Sequence, residues 1–189
     1  MFEVPAIFDF DMATGHCAQK PTLVRKLSYM DKMFADQAAF DAITDKEQLI
    51  YEFYDMEVPP TDNDLAFGCS ICYPGKVGDE YFMTKGHYHE VFAAAETYFC
   101  LRGHGYMLME TPDGQWDAQE LVPGRMVYVP GGWAHRSINV GSEPFVTFYV
   151  FRSDAGHDYA TIESKGFRKL MVEQDGHPVI VDNCKWQGK

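Results

Sequence analysis

Thr84-Lys85-Gly86-His87-Tyr88-His89 and Gly124-Arg125-Met126-Val127-Tyr128-Val129-Pro130-Gly131-Gly132-Trp133-Ala134-His135-Arg136-Ser137-Ile138-Asn139 are the stretches that decide how this chain folds. The first places two imidazoles two residues apart on a β-rich run. Alternation along a strand turns residues i and i+2 to one face, so both rings can reach one centre inside a barrel. In the second stretch Pro130 and Gly132 precede His135, as in a hairpin whose tight turn delivers another imidazole inward. Glu96 opens the next strand-like run, Glu96-Thr97-Tyr98-Phe99-Cys100-Leu101-Arg102-Gly103, and offers a hard oxygen ligand. Three neutral imidazoles and a carboxylate suit one divalent ion of borderline softness: iron, nickel, manganese or zinc. On an octahedral ion they leave two positions open for substrate or water. Structural zinc sites usually close their shell with thiolate, so this set points to catalysis. A bare His-x-His is common on exposed strands, and the weight of the reading rests on the second stretch.

Outward from these motifs the chain is a series of short β-rich runs. They start at Gln48 and include residues 49–56, 65–73, 80–84, 96–103, 104–110, 125–130, 135–140 and 145–151. Turn signals rich in Gly and Pro separate them, as in an antiparallel sandwich or barrel. Residues 26–43 carry apolar positions at mixed three- and four-residue spacings and read as one or two short helices. Residues 157–167 read as a helical turn and residues 169–182 as a hairpin. The expected architecture is all-β. Residues 1–47 form an N-terminal extension with short helices, 48–153 the barrel core, and 154–189 the C-terminal turn and hairpin of one domain.

Composition narrows the partners. The formal net charge of −12, with no run of Lys or Arg, opposes binding to nucleic acid or anionic lipid. No window approaches a membrane span, and the N-terminus lacks the basic start and small-residue cleavage site of a signal peptide. A cytoplasmic location is therefore expected. Cys17, Cys69, Cys72, Cys100 and Cys184 are odd in number and scattered, which suits a reducing compartment. Cys69 and Cys72 form a Cys-x-x-Cys, but the run around them reads as a strand and has no second such pair to complete a zinc site. Buried strand thiols are expected there.

The spacing Gly124-x5-Pro130-x-Gly132-x2-His135-x3-Asn139 resembles the second motif of the cupins at every defined position. The first cupin motif departs from the usual pattern, since Glu96 follows His89 by seven residues and the intervening VFAAA must be a bulge or longer turn. Glu90 is a rival ligand, but Glu96 keeps the family spacing to Gly103. The chain from Tyr51 to Phe167 further resembles the cupin-type glucose-6-phosphate isomerases, in TKGHYH, in the long spacer to Glu96 and in AGHDY at 155–159. The resemblance implies a jelly-roll barrel that interconverts glucose 6-phosphate and fructose 6-phosphate, with one divalent ion per chain, iron first among the candidates. It implies His87, His89, Glu96 and His135 as metal ligands. Thr84 and Gly86 would hold the sugar phosphate, with Ser70, Tyr51 and Tyr159 assisting. Tyr98 and His157 would lie near the reacting sugar. Ser70 stands where relatives carry threonine and keeps the hydroxyl; Phe151 stands where some relatives place tyrosine, so one contact is expected to be missing. A homodimer in which the N-terminal segment takes part, and a place in glycolysis or gluconeogenesis, are also implied.

Aldose–ketose isomerisation moves hydrogen between C1 and C2 while the carbonyl changes place. A cis-enediol route needs a base, for which Glu96 is the obvious carboxylate although ligation lowers its basicity. A hydride shift needs none. The ligand set alone also fits an iron dioxygenase, and a non-catalytic sugar-binding cupin is a further alternative, weakened by the lack of a basic patch. Tyrosines in β-proteins are more often packing than ligands. His16, His104 and His177 have no partner spacing and read as surface or structural. Lys85 is expected to point outward.

Overall fold

The computed structural model describes residues 5–56 and 58–188. In chain order the strands are β1 (Leu23–Lys26), β2 (Leu49–Asp55), β3 (Leu65–Cys72), β4 (Lys76–Val77), β5 (Glu80–Tyr81), β6 (Glu96–Arg102), β7 (Gly105–Glu110), β8 (Trp116–Leu121), β9 (Met126–Val129), β10 (Ala134–Asn139), β11 (Phe145–Arg152), β12 (Lys169–Gln174) and β13 (His177–Asp182). Two short helices, α1 (Gln37–Ala42) and α2 (Tyr159–Lys165), join them, with a 3-10 turn at Leu27–Met30. No helix among the described residues is long and apolar enough to cross a membrane.

The strands form three antiparallel sheets in the orders β1-β2-β3-β11-β6-β9, β10-β7-β8 and β13-β12-β5-β4. The long central strands are rich in aromatic and β-branched residues, which fit a pleated surface packed on both sides. On the inner face of the large sheet, Tyr98, Cys100, Phe145, Tyr149 and Phe151 pack in one core with Met107, Met109, Leu121 and Ile138 of the small sheet. On its outer face Tyr54 and Cys69 pack under the N-terminal segment, where Phe10 meets Phe148 edge-on at 5.4 Å. Tyr54 donates its hydroxyl to Gly15 O at 2.7 Å. Tyr51, Phe53 and Asp55 of β2 therefore face the interior of the barrel, while Glu52 and Tyr54 face the N-terminal segment.

Several expectations are met: the strand series, the short helices within 26–43, the turn at α2 and the C-terminal hairpin. Four differ. Residues 23–26, expected only as part of an extension, form edge strand β1 and pair with β2. Residues 116–121, not among the expected strands, form β8; its largely exposed, polar residues gave no apolar alternation to read. The run 80–84 is strand only at Glu80–Tyr81, and the His-x-His segment is no regular strand. It crosses β10 through isolated bridges, Met83 with Ile138 and His87 with His135. The hairpin also joins the third sheet through Val172 and Glu80, a pairing for which the sequence reading named no partner. Cys69 and Cys72 are buried free thiols on β3, and burial pushes them up to about 11 and about 12, which makes both unreactive.

Candidate metal centre and active site

His87, His89, Glu96 and His135 each offer a ligand atom, and those atoms all lie within 4.8 Å of one another. Bonds of about 2.0–2.2 Å from one ion put its donors about 3–4.4 Å apart, so the cluster has the size a single ion needs. All four side chains are buried. His89 Nδ1 lies 2.9 Å from Ala94 O, and His135 Nδ1 lies 3.3 Å from Trp133 O. These carbonyls fix the proton on Nδ1 and turn Nε2 to the centre. His89 Nε2 lies 3.1 Å from Glu96 Oε2. His135 Nε2 is 2.9 Å from the same oxygen but off the hydrogen-bond direction. The buried Nε2 atoms of His87 and His135 have no hydrogen-bond partner among the described residues. Unpaired buried nitrogens are costly, and one shared cation would satisfy both. The residues fit the ion that the ligand set implies.

Electrostatics agree. Burial alone would raise the Glu96 carboxyl, but His135 and His89 outweigh it and hold it at about 2. Burial, with the neighbouring rings, holds His87 well below its ordinary range, so it is neutral and free to ligate. His89 is raised: burial lowers it, and the Glu96 carboxylate more than compensates. Burial also lowers His157, against the pull of Asp55 and Glu96. Tyr98 is pushed well above the ordinary phenol by burial and by Glu96, and keeps its proton.

Three local features bring these groups together. Gly86 sits at φ +78, and a Cβ there would stand 2.7 Å from Phe167 and 3.0 Å from His135 O. Only glycine lets the Thr84–Gly86 segment lie flat against β10 and α2's successor loop. Thr84 completes that contact: its N–H donates to Ser137 O at 2.9 Å, and its Oγ1 accepts from Ser137 N at 3.0 Å. Behind it the buried Arg136 donates to Lys85 O at 2.5 Å and packs 4.2 Å over Phe167. The second feature is the 156–159 loop, tied to Tyr88 by reciprocal backbone bonds with Asp158 of 2.8 and 3.2 Å. Asp158 also caps α2 by accepting from Thr161 N. The loop so fixed sets His157 edge-on to His87 at 4.5 Å and Tyr159 at 5.3 Å. The third is the spacer between His89 and Glu96, closed by Ala94 N donating to Val91 O at 2.8 Å; it is the longer turn expected there. Glu90 is exposed and lies beside Gly156, outside the cluster, so Glu96 is the carboxylate at the centre.

Tyr51, Ser70, Thr84, Gly86, His87, Glu96, Tyr98, His157 and Tyr159 line one cavity of about 460 Å³, mouth included. Every residue expected at the site is thus in the cavity or in the ligand cluster beneath it. Phe151 stacks at 6.0 Å on His89, an apolar wall without a hydroxyl. Lys85 points away and pairs with Glu163 at 2.6 Å. His16 reaches the buried Glu52, and His104 pairs with Glu120 at the surface. Four cavity residues were not foreseen: Phe53, Asp55, Ser137 and Tyr149. Their signal was strand alternation from residues already singled out, since Phe53 and Asp55 follow Tyr51 at steps of two and Ser137 follows His135.

The geometry can be set beside known proteins. A family model described as glucose-6-phosphate isomerase matches residues 24–185. The chain belongs to the glucose-6-phosphate isomerase family. A family member from Pyrococcus furiosus is 42% identical over 188 residues, covering 99% of this chain and 100% of its own. The glucose-6-phosphate isomerase of Thermococcus onnurineus is also 42% identical, over 98% of each chain. One from Sinorhizobium medicae is 34% identical over 99% of this chain and 89% of its own. Among solved structures, oxalate oxidase in complex with the substrate analogue glycolate superposes with a TM-score of 0.51 at 14% identity, over 62% of this chain and 58% of that one. That likeness shows the fold alone, which is the cupin barrel.

Proposed function

We propose that the chain interconverts glucose 6-phosphate and fructose 6-phosphate, using one divalent ion held by His87, His89, Glu96 and His135. The observation that carries the reading is the buried ligand cluster opening into a polar cavity, in a chain of this family. The ion, when bound, supplies a Lewis acid that polarises the sugar carbonyl and stabilises the charge growing on its oxygen.

The remaining work falls to the chain. The Thr84 hydroxyl and Gly86 N–H receive the phosphate, with Ser70, Tyr51 and Tyr159 beside them. The buried Arg136, lowered by burial to about 10 and still charged, supports that segment against the overall negative field. Holding the phosphate orients the reacting end, so that binding energy far from C1 and C2 lowers the barrier there. Glu96, at about 2, is a weak base, and its part in this reading is ligation. His157 is neutral near pH 7 and takes the proton from one carbon to return it to the next. Tyr98 keeps its proton and donates to a sugar oxygen. Because the proton held on the imidazole can exchange with water before it is returned, reaction in deuterium oxide is expected to place at least a fraction of solvent deuterium on the product; complete retention of the substrate hydrogen is what a hydride shift gives.

Iron as the ion, a homodimer, a cytoplasmic location and a role in glycolysis or gluconeogenesis belong to the same reading. Three imidazoles with one carboxylate support iron, without excluding zinc, manganese or nickel. Exposed Leu23 and Val24 on edge strand β1, with Tyr29 beside them, support pairing through the N-terminal segment. The test is fructose 6-phosphate with metal-loaded protein, the glucose 6-phosphate formed being read by a coupled dehydrogenase. Turnover abolished by chelation is expected. No turnover with iron, nickel, manganese or zinc would overturn the proposal.

A further inference from the structure

The roles above leave one carboxylate in the cavity without a task. Asp55 lines it, and across the sheet its rung runs through Gly68 and Tyr149 to Tyr98. On one side of this rung is that of Phe151 and Glu96, which carries the ligand carboxylate. On the other is that of Phe53, Ser70 and Thr147, which carries a phosphate contact. Rungs facing one way are about 6.7 Å apart along the strands. Asp55 therefore stands at a level between the metal end and the phosphate end.

The rung is constructed around this side chain. The Tyr149 hydroxyl lies 2.8 Å from Asp55 Oδ1 and 2.9 Å from Tyr54 O, sharing its one proton between them. It reaches them across Gly68, where a Cβ would lie 1.7 Å from Tyr54 O and 3.1 Å from the Tyr149 oxygen. Oδ2 of Asp55 has no hydrogen-bond partner among the described residues. The side chain is half-buried and faces the cavity. Burial, with the Glu96 carboxylate nearby, raises its carboxyl, against Tyr149, His157 and Lys20.

We infer that Asp55, held by Tyr149, is a specificity-determining residue whose Oδ2 accepts a hydrogen bond from a hydroxyl in the middle of the sugar chain; this rests on the isomerase reading. A carboxylate is an acceptor only, and an open-chain polyol offers it O–H donors at each carbon between the carbonyl and the phosphate. Charged acceptors bond hydroxyls more strongly than neutral ones. The same charge repels phosphate and so keeps the dianion at the Thr84–Gly86 end, which fixes the direction in which the substrate lies. Phe151, one rung nearer the metal, offers no such contact, and Asp55 supplies polarity to that wall.

The test compares metal-loaded wild type and Asp55→Ala on glucose 6-phosphate and on its analogues lacking the 3-, 4- or 5-hydroxyl. Wild type is expected to lose about tenfold to hundredfold in kcat/KM with at least one analogue, the scale of a hydrogen bond to a charged group. Asp55→Ala is expected to show that loss with glucose 6-phosphate itself, no further loss with that analogue, and unchanged metal content. Binding of glucitol 6-phosphate, which cannot isomerise, should weaken by a similar factor. Tyr149→Phe should fall between the two proteins. If Asp55→Ala does not fold, Asp55→Asn keeps the shape and is expected to narrow the discrimination. Equal discrimination in wild type and variant overturns the Asp55 assignment alone. A wild type without turnover on fructose 6-phosphate overturns the isomerase reading, and this assignment with it.

Discussion

Glu96 opens β6 and Glu80 opens β5, and their carboxylates are buried alike, at 3% and 4% exposure. Burial pushes both upward, yet they end on opposite sides of the ordinary carboxyl value. Around Glu96 the His89 and His135 rings converge and bring it to about 2. Glu80 receives one backbone N–H, from Ala35 at 2.8 Å, its Oε1 has no hydrogen-bond partner among the described residues, and it rises to about 7. Arg136 faces it only through space. Burial of a charge does not mark a site, because a structural acid is buried as deeply. What marks the site is several donors aimed at one point with nitrogen atoms left over, which is the condition a bound cation resolves.

The contrast can be broken at its strongest point first. Glu96→Gln or His135→Ala is expected to lower metal affinity and isomerase rate by about a hundredfold or more, since ligand loss exceeds the 10–100-fold typical of a supporting residue. Glu80→Gln is expected to leave metal content at wild-type level. Metal analysis of the purified variants decides whether the two acids differ as claimed. Next in size is Arg136→Met, which leaves Glu80 and Glu110 facing no guanidinium and frees Lys85 O. It is expected to cost about 1–3 kcal/mol in denaturant unfolding, the scale of a buried acceptor left unpaired. Combined with Glu80→Gln, the cost should fall below the sum.

A smaller effect is electrostatic. Glu80 binds its proton more tightly folded than unfolded, so its contribution is full below its ordinary value of 4.5 and is lost as pH rises through about 7. Glu80→Gln should therefore flatten the decline of stability between those limits, seen as melting temperature against pH. The smallest effect expected is that of Phe151→Tyr, which adds a hydroxyl to the wall beside His89. A gained neutral hydrogen bond to substrate lowers KM by about two- to tenfold with kcat nearly unchanged. An unchanged KM would mean that the rung of Asp55 already meets the need.

Much of the site was legible because its residues sit in rigid spacings. His135 follows a proline and glycine turn, and Glu96 keeps the cupin spacing to Gly103, so motif and resemblance together name four ligands. His87 and His89 do join the cluster, but strand alternation is not what brings them there. Their segment is held by isolated bridges to β10 and by Gly86, not by a strand of its own. β8 and β1 escaped because edge strands facing water have little apolar alternation to betray them. Asp55 stands four residues past Tyr51 and Tyr149 two before Phe151, so alternation could place each on the inner face, but not their contact. Their meeting depends on the register of three strands and on the missing side chain of Gly68, which no local window contains.

The central claim is that three imidazoles and one carboxylate hold a single ion and that the ion is needed for isomerisation. Metal content and turnover of fructose 6-phosphate, measured on the same samples of chelated and reloaded protein, test it most directly. One ion per chain, with activity rising in proportion to occupancy and both lost in His135→Ala, is the predicted result. Full activity in protein stripped of metal, or an ion retained by His135→Ala at wild-type stoichiometry and affinity, would contradict it.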